Sequence, residues 1–160
     1  RHPRDARGPC LRAARGDEVL AALDSMQTPS GHASAVLAPV AHAMTDVTGY
    51  GLAGHLLGML RASDVGAALD LGAVPLLPGA LRLAEAGIRS SLFAANARAA
   101  ADIPGADPEE PRTALLFDPQ TAGGLLAAVP EGAVAQVLAE IEGAVVIGQI
   151  TEGAPAITLR

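Results

Sequence analysis

The chain has 160 residues, half of them hydrophobic, only 2% aromatic, and a formal net charge of -6. That length supports one domain with its own core, and hydrophobic content this high excludes wholesale disorder. The acidic balance argues against nucleic acid and against an anionic membrane surface as partners, since both select basic faces.

Tyr50, Phe93 and Phe117 are the only aromatic residues, so Ala, Leu, Val and Ile must build the core. No apolar run reaches the about 20 residues that a membrane span requires, and no charged-then-apolar leader opens the chain. Cys10 is the only cysteine, which excludes an internal disulfide and points to the cytoplasm. All 11 basic residues are Arg. A P-loop lysine, a Schiff-base lysine and a lysine general base are therefore impossible within this chain. Phosphate would have to be met by backbone amides, Arg or a carboxylate-bound metal.

Residues 1–16 are rich in Arg, Gly and Pro and read as a linker, and 17–160 as the domain. Val19, Leu20, Leu23 and Met26 follow Asp17 and Glu18 at helical spacing, acids that suit a helix start. A second short helix is predicted over 32–37, ahead of Pro39. The run Val40 to Met44 predicts a strand that feeds a Gly-rich turn, Thr45 to Gly51. The next helix carries Leu52, Leu56, Met59 and Leu60 on one face, with Gly54 and Gly58 on another, which suggests a close backbone approach there.

Residues 66–71 predict a strand, and a helix from Leu81 ends at Gly87, a C-cap candidate. The Ala-rich stretch 89–101 reads as helical in its later part. Residues 102–111 read as an exposed loop because of their Pro and acidic content. Asp118 to Gly124 is a second Gly-rich turn, before a strand over 125–129. Val134, Val137, Leu138 and Ile141 give an amphipathic helix. Strands over 145–150 and 156–159 close a chain of mixed α and β class.

An acid at a strand end, before a Gly-rich helix start, has a chemical use. The helix start offers unpaired amides and the positive end of its dipole to phosphate. Asp46 suits a hard cation such as Mg²⁺, which takes one or two carboxylates beside phosphate oxygens. Thr48, Gly49 and Gly51 are the candidate ligand-binding positions, the glycines because they let backbone approach a ligand closely. The competing reading is structural: Asp46 or Thr48 caps the helix and the glycines form a turn. His55, one turn inside that helix, reads as a partly exposed polar residue. Asp118 to Gly124 reads as a strand-entry turn, and His2, His32, His42 and Cys10 lack partners at ligand spacing.

The stretch His42 to Leu56, HAMTDVTGYGLAGHL, resembles the TDVTGFGLxGHL segment of selenophosphate synthetases. Residues 74–80, VPLLPGA, are similar to that family's next segment, LFDPQTAGGLL at 116–126 to its DPQTSGGLL segment, and VVIGQI at 145–150 to a strand near its C-terminus. The motifs occur in the family's order across 17–160. The departures are Tyr50 for Phe, Ala122 for Ser, and SSLFAAN at 90–96 where the family often has PGGTxxN, so that Asn96 alone is kept.

The resemblance implies an α+β, three-layer C-terminal domain of the aminoimidazole ribonucleotide synthetase superfamily, with a mixed sheet and packed helices. It implies a partner N-terminal domain that dimerises, binds ATP and carries the family's Cys or selenocysteine and its Lys. It implies the reaction of ATP, selenide and water to selenophosphate, AMP and phosphate, with Mg²⁺ as cofactor and Asp46 as a metal ligand. No catalytic residue is expected in this chain, and the piece alone is expected to be inactive. The alternatives are a sister ATP-dependent enzyme of the superfamily and a non-catalytic fold module; the DPQT-Gly-Gly segment favours the selenium branch.

Overall fold

The computed structural model describes residues 13–160; His2, Cys10 and most of the expected linker lie outside the described residues. In chain order the elements are α1 (Gly16–Met26), α2 (Gly31–Leu37), β1 (Ala43–Asp46), α3 (Gly51–Ser63), β2 (Gly66–Leu69), α4 (Ala80–Glu85) and α5 (Phe93–Asn96). A 3-10 turn at Ala97–Asp102 follows, then α6 (Pro111–Ala114) running into a second 3-10 turn at Leu115–Phe117, β3 (Leu125–Ala128), α7 (Glu131–Glu140), β4 (Gly148–Thr151) and β5 (Ile157–Leu159). The class is α+β, as expected, with a mixed sheet.

The strands divide between two sheets. β1 and β3 pair antiparallel, with Asp46 opposite Leu125 and Ala43 opposite Ala128. In the other sheet β2 lies between β4, antiparallel to it, and β5, parallel to it. All four residues of β2 are buried, which explains why Gly66-Ala67-Ala68-Leu69 alternates no polar side chains: a strand covered on both faces reads as a continuous apolar run.

The core forms where α3 meets the second sheet and the 3-10 turn before β3. Leu56, Leu57 and Leu60 of α3 pack with Leu69, Ile103, Leu116, Phe117 and Ile157. The expected face of α3 is therefore the buried one, displaced slightly: Leu56 and Leu60 are buried, Leu52 and Met59 half-buried, and Ala53 and Leu57 join them. α3 ends at Asp64 in the left-handed conformation, φ 53, where the Leu60 carbonyl accepts the Asp64 N–H and also the Val65 N–H at 3.2 Å.

Exposure departs from the sequence pattern in three places. The apolar face of α1 lies open, Leu20 being 62% exposed and Val19, Leu23 and Met26 40–45%. The body holds α1 through polar contacts instead: Glu18 accepts from the Arg15 N–H at 2.8 Å and pairs with Arg82 of α4. On α7 the face of Val137, Leu138 and Ile141 is only half covered, and Leu138 is 43% exposed. In both helices the periodicity is right, but the cover over the stripe is partial: α7 meets mainly the short α2, through contacts that include the His32 ring nitrogen at 2.9 Å from the Glu140 carbonyl oxygen. Conversely, the Pro-rich loop after α5 is pinned by Ile103, 1% exposed, and Glu110 at its end caps α6, accepting from the N–H groups of Arg112 and Thr113.

Candidate functional site

The two Gly-rich segments meet. β1 delivers Asp46 to the open end of the β1–β3 pair, and the chain turns through Val47 to Tyr50 into α3. β3 begins beside it, so the segment 118–124 runs antiparallel into the same corner. The Val47 N–H donates to the Gly124 carbonyl at 3.0 Å and the Gln120 N–H to the Thr48 carbonyl at 3.0 Å. Two glycines make this contact possible. A Cβ on Gly123 would lie 2.1 Å from the Val47 carbonyl oxygen. One on Gly51, whose φ is +68, would lie 2.7 Å from the Leu116 carbonyl oxygen and 2.9 Å from the carbonyl carbon of Phe117. The second segment is thus more than the strand-entry turn expected from its sequence: it is the bed on which the first one rests.

Each predicted residue has a definite place. Asp46 is exposed at the end of β1. Gly49 is exposed, with open space where a Cβ would stand. Thr48 is half-buried. Gly51 is buried against backbone and its N–H is used by the Thr48 carbonyl at 3.1 Å, so its contribution is to conformation. The turn leaves the amides at the start of α3 without intrahelical acceptors, as any helix start does. Among the described residues no three His, Cys, Asp or Glu side chains converge as a metal cage. Asp46 can supply one carboxylate to a cation whose other ligands are water, phosphate or groups from elsewhere, the coordination Mg²⁺ favours.

Two side chains to which the sequence reading gave no role in the site hold the turn. His55 accepts the Thr48 N–H on Nε2 at 3.0 Å, with the Thr48 hydroxyl 3.2 Å from the same nitrogen. Asn96, at the end of α5, donates through Nδ2 to the Gly49 carbonyl at 2.9 Å and to the Phe117 carbonyl at 3.0 Å. Asn96 therefore ties both Gly-rich segments together. Its one signal was being the residue kept from the PGGTxxN segment; its partners lie far away in sequence, so the role itself was not legible. His55 had a local signal, since it sits seven residues after Thr48 on the helix that the turn begins.

Below the turn, burial raises the Asp118 carboxyl above the usual carboxylate range, against the lowering effects of the Ser90 hydroxyl and the Arg89 guanidinium. Burial prevails because the Ser90 Oγ, itself buried, reaches no partner in good hydrogen-bonding geometry. On the other side of β1, a groove of about 820 Å³ runs along Met44, Thr45, Tyr50, His55, Met59 and Asn96. Tyr50, 70% exposed, stands at its mouth.

The sequence matches the family described as "AIR synthase related protein, C-terminal domain" over residues 15–159. It is 37% identical over 151 residues to a selenide, water dikinase of Paraburkholderia xenovorans (strain LB400), an alignment covering 89% of this chain and 42% of that protein. It is 38% identical to a selenide, water dikinase of Pseudomonas straminea over 72% of this chain and 34% of that protein. It is 44% identical to one of Rhizobium meliloti (strain 1021) over 74% of this chain and 36% of that protein. The chain thus spans less than half the length of these relatives. By the match over nearly its whole length, the chain belongs to the AIR synthase related family, as a C-terminal domain.

Proposed function

We propose that this chain is the C-terminal half of an enzyme that makes selenophosphate from selenide, ATP and water, and that it forms one wall of an ATP cleft completed by an N-terminal domain. The observation that carries the reading is the exposed carboxylate of Asp46 beside the exposed Gly49 and the start of α3. Together they offer negative charge for a cation and backbone donors for phosphate within one turn. Similarity to selenide, water dikinases along most of the chain supports the selenium substrate.

Mg²⁺ held by Asp46 would neutralise phosphate charge and orient the phosphate chain. The remaining work of this chain is positional. Gly49, with no side chain in the way, lets a phosphate reach the backbone. Thr48 and Gly51 shape the turn, and the segment 118–124 is hydrogen-bonded to it at Val47 and Thr48. Nucleophile and lysine chemistry fall to the N-terminal domain, because this chain has no Lys. The working unit in this reading is a cytoplasmic homodimer of two-domain subunits.

The test is AMP formation from ATP by the two-domain protein, with and without selenide, alongside the 160-residue chain alone. Selenide-dependent AMP from the two-domain protein and none from the chain alone is the expected result. ATP turnover indifferent to selenide would assign the fold to a sister reaction. No turnover with any arrangement would leave it a binding module.

A further inference from the structure

We infer that His55 is a positioning residue: its neutral imidazole fixes the turn 46–51 in the shape that aims Asp46 and the Gly49 backbone at a ligand. This deepens the proposed function and rests on it. Thr48 is the pivot of the turn. Its carbonyl accepts from both the Gly51 and Gln120 N–H groups, so it is locked into the docking of the two segments. Its N–H points the other way and has its partner in the Nε2 of His55. A ring nitrogen that accepts an N–H must be unprotonated, which places the ring proton on Nδ1. The Nε2 lone pair is therefore committed to the protein and is not available to a substrate.

The preceding residue makes room for the ring's neighbour. A Cβ on Gly54 would lie 2.7 Å from the Tyr50 Cβ. Gly54 thus lets Tyr50 fold down against α3, where its ring sits 5.8 Å from the imidazole, tilted by 57°. Gly54 and His55 act as a pair: one admits the Tyr50 side chain that flanks the imidazole, and the other holds Thr48. Asn96 grips the next carbonyl, that of Gly49. The amide and the carbonyl flanking the Thr48–Gly49 peptide are both held by side chains from outside the turn. A turn fixed in this way before the ligand arrives loses little entropy on binding.

Two variants separate positioning from bulk. His55→Phe keeps a ring of similar size and removes the acceptor. His55→Gln keeps an acceptor oxygen near the Nε2 position. In the 160-residue chain, amide hydrogen exchange at Thr48 should speed up in His55→Phe and stay close to wild type in His55→Gln, with global unfolding little changed between them. In the two-domain protein, His55→Phe should lower turnover by about tenfold to a hundredfold, the scale of a small misplacement of reacting groups, and His55→Gln should recover most of it. Asp46→Asn is the control for the underlying reading. If Asp46→Asn abolishes turnover while His55→Phe frees the Thr48 amide without slowing turnover, positioning by His55 is overturned and the proposed function stands. If neither substitution changes turnover, the turn at 46–51 is not the cation and phosphate site, and that part of the proposed function fails together with this inference. Equal loss in His55→Phe and His55→Gln would also overturn the inference, by showing that the imidazole is needed for something other than accepting an N–H.

Discussion

Replacing Gly123 by Ala tests whether the two Gly-rich segments are one unit. The new Cβ would stand 2.1 Å from the Val47 carbonyl oxygen and 3.0 Å from the Gln120 Cβ. Carbon and oxygen settle at about 3.3 Å, so the segments must part by roughly 1 Å. Backbone cannot rotate aside as a long side chain can. Parting also stretches the bonds from Val47 to Gly124 and from Gln120 to Thr48, both 3.0 Å. Overpacking costs about 1–3 kcal/mol and each weakened bond up to about 1 kcal/mol. A total of about 2–4 kcal/mol corresponds to a fall in Tm of about 5–15 °C for a domain of this size. Gly124 is the control: nothing lies within 4 Å of its Cβ position, so Gly124→Ala should stay within about 0.5 kcal/mol of wild type. Thermal unfolding followed by circular dichroism reads both. Equal Tm values for the two variants would refute the docking of one segment on the other.

The glycines of the first segment divide by the same logic. Gly49→Ala should leave Tm nearly unchanged but weaken Mg-nucleotide binding in the two-domain protein, whereas Gly51→Ala, at φ +68 and against backbone, should cost about 1–3 kcal/mol of stability before any ligand is added. Unaltered nucleotide affinity in Gly49→Ala, measured by calorimetry, would remove Gly49 from the site. Asp118 gives a pH signature. Its folded pKa is raised by burial, so the folded state binds more protons than the unfolded one, and stability falls as pH rises from the unfolded value through the raised folded one. Asp118→Asn should therefore be more stable than wild type at neutral pH, with the gap closing as pH drops below the ordinary carboxylate range. Taking the difference between variant and wild type cancels the opposite trend from Glu18 and Glu110, whose depressed values withdraw stability at low pH. A gap that does not change with pH would contradict burial as the cause.

What the sequence disclosed and what it hid divide along the range of the interaction involved. Periodicity found α3 and its core face, and short apolar runs between Gly and Pro found the strands, because these signals lie within a few residues of one another. The same periodicity found α1 and α7 as helices but did not decide how far their apolar faces are covered. An apolar stripe says that a face can be buried, and only the extent of a neighbour decides whether it is: Leu20 stays 62% and Leu138 43% exposed. Ile103 erred in the other direction, since the Pro and acid content around it hid one anchoring side chain. In the candidate site, Asp46 and the glycines were legible as a motif. That Gly51 serves the backbone while Gly49 faces outward was not, because the difference is made by the segment 116–118 more than sixty residues away. Asn96 was noticed only as the residue kept from a family segment, and its role was hidden for the same reason.

The central claim is that Asp46 carries charge for a cation shared with nucleotide phosphate, and Asp46→Asn in the two-domain protein tests it most directly. The substitution keeps the shape of the side chain and removes its charge. Asp46 is exposed at the end of β1, so the fold should be unaffected, as judged by an unchanged Tm. Selenide-dependent AMP formation should fall by on the order of a hundredfold at limiting Mg²⁺, since a metal's stabilisation of phosphate charge amounts to several kcal/mol. Part of the loss should return as Mg²⁺ is raised. Full turnover in Asp46→Asn at limiting Mg²⁺ would contradict the account and leave the turn at 46–51 with a structural role only.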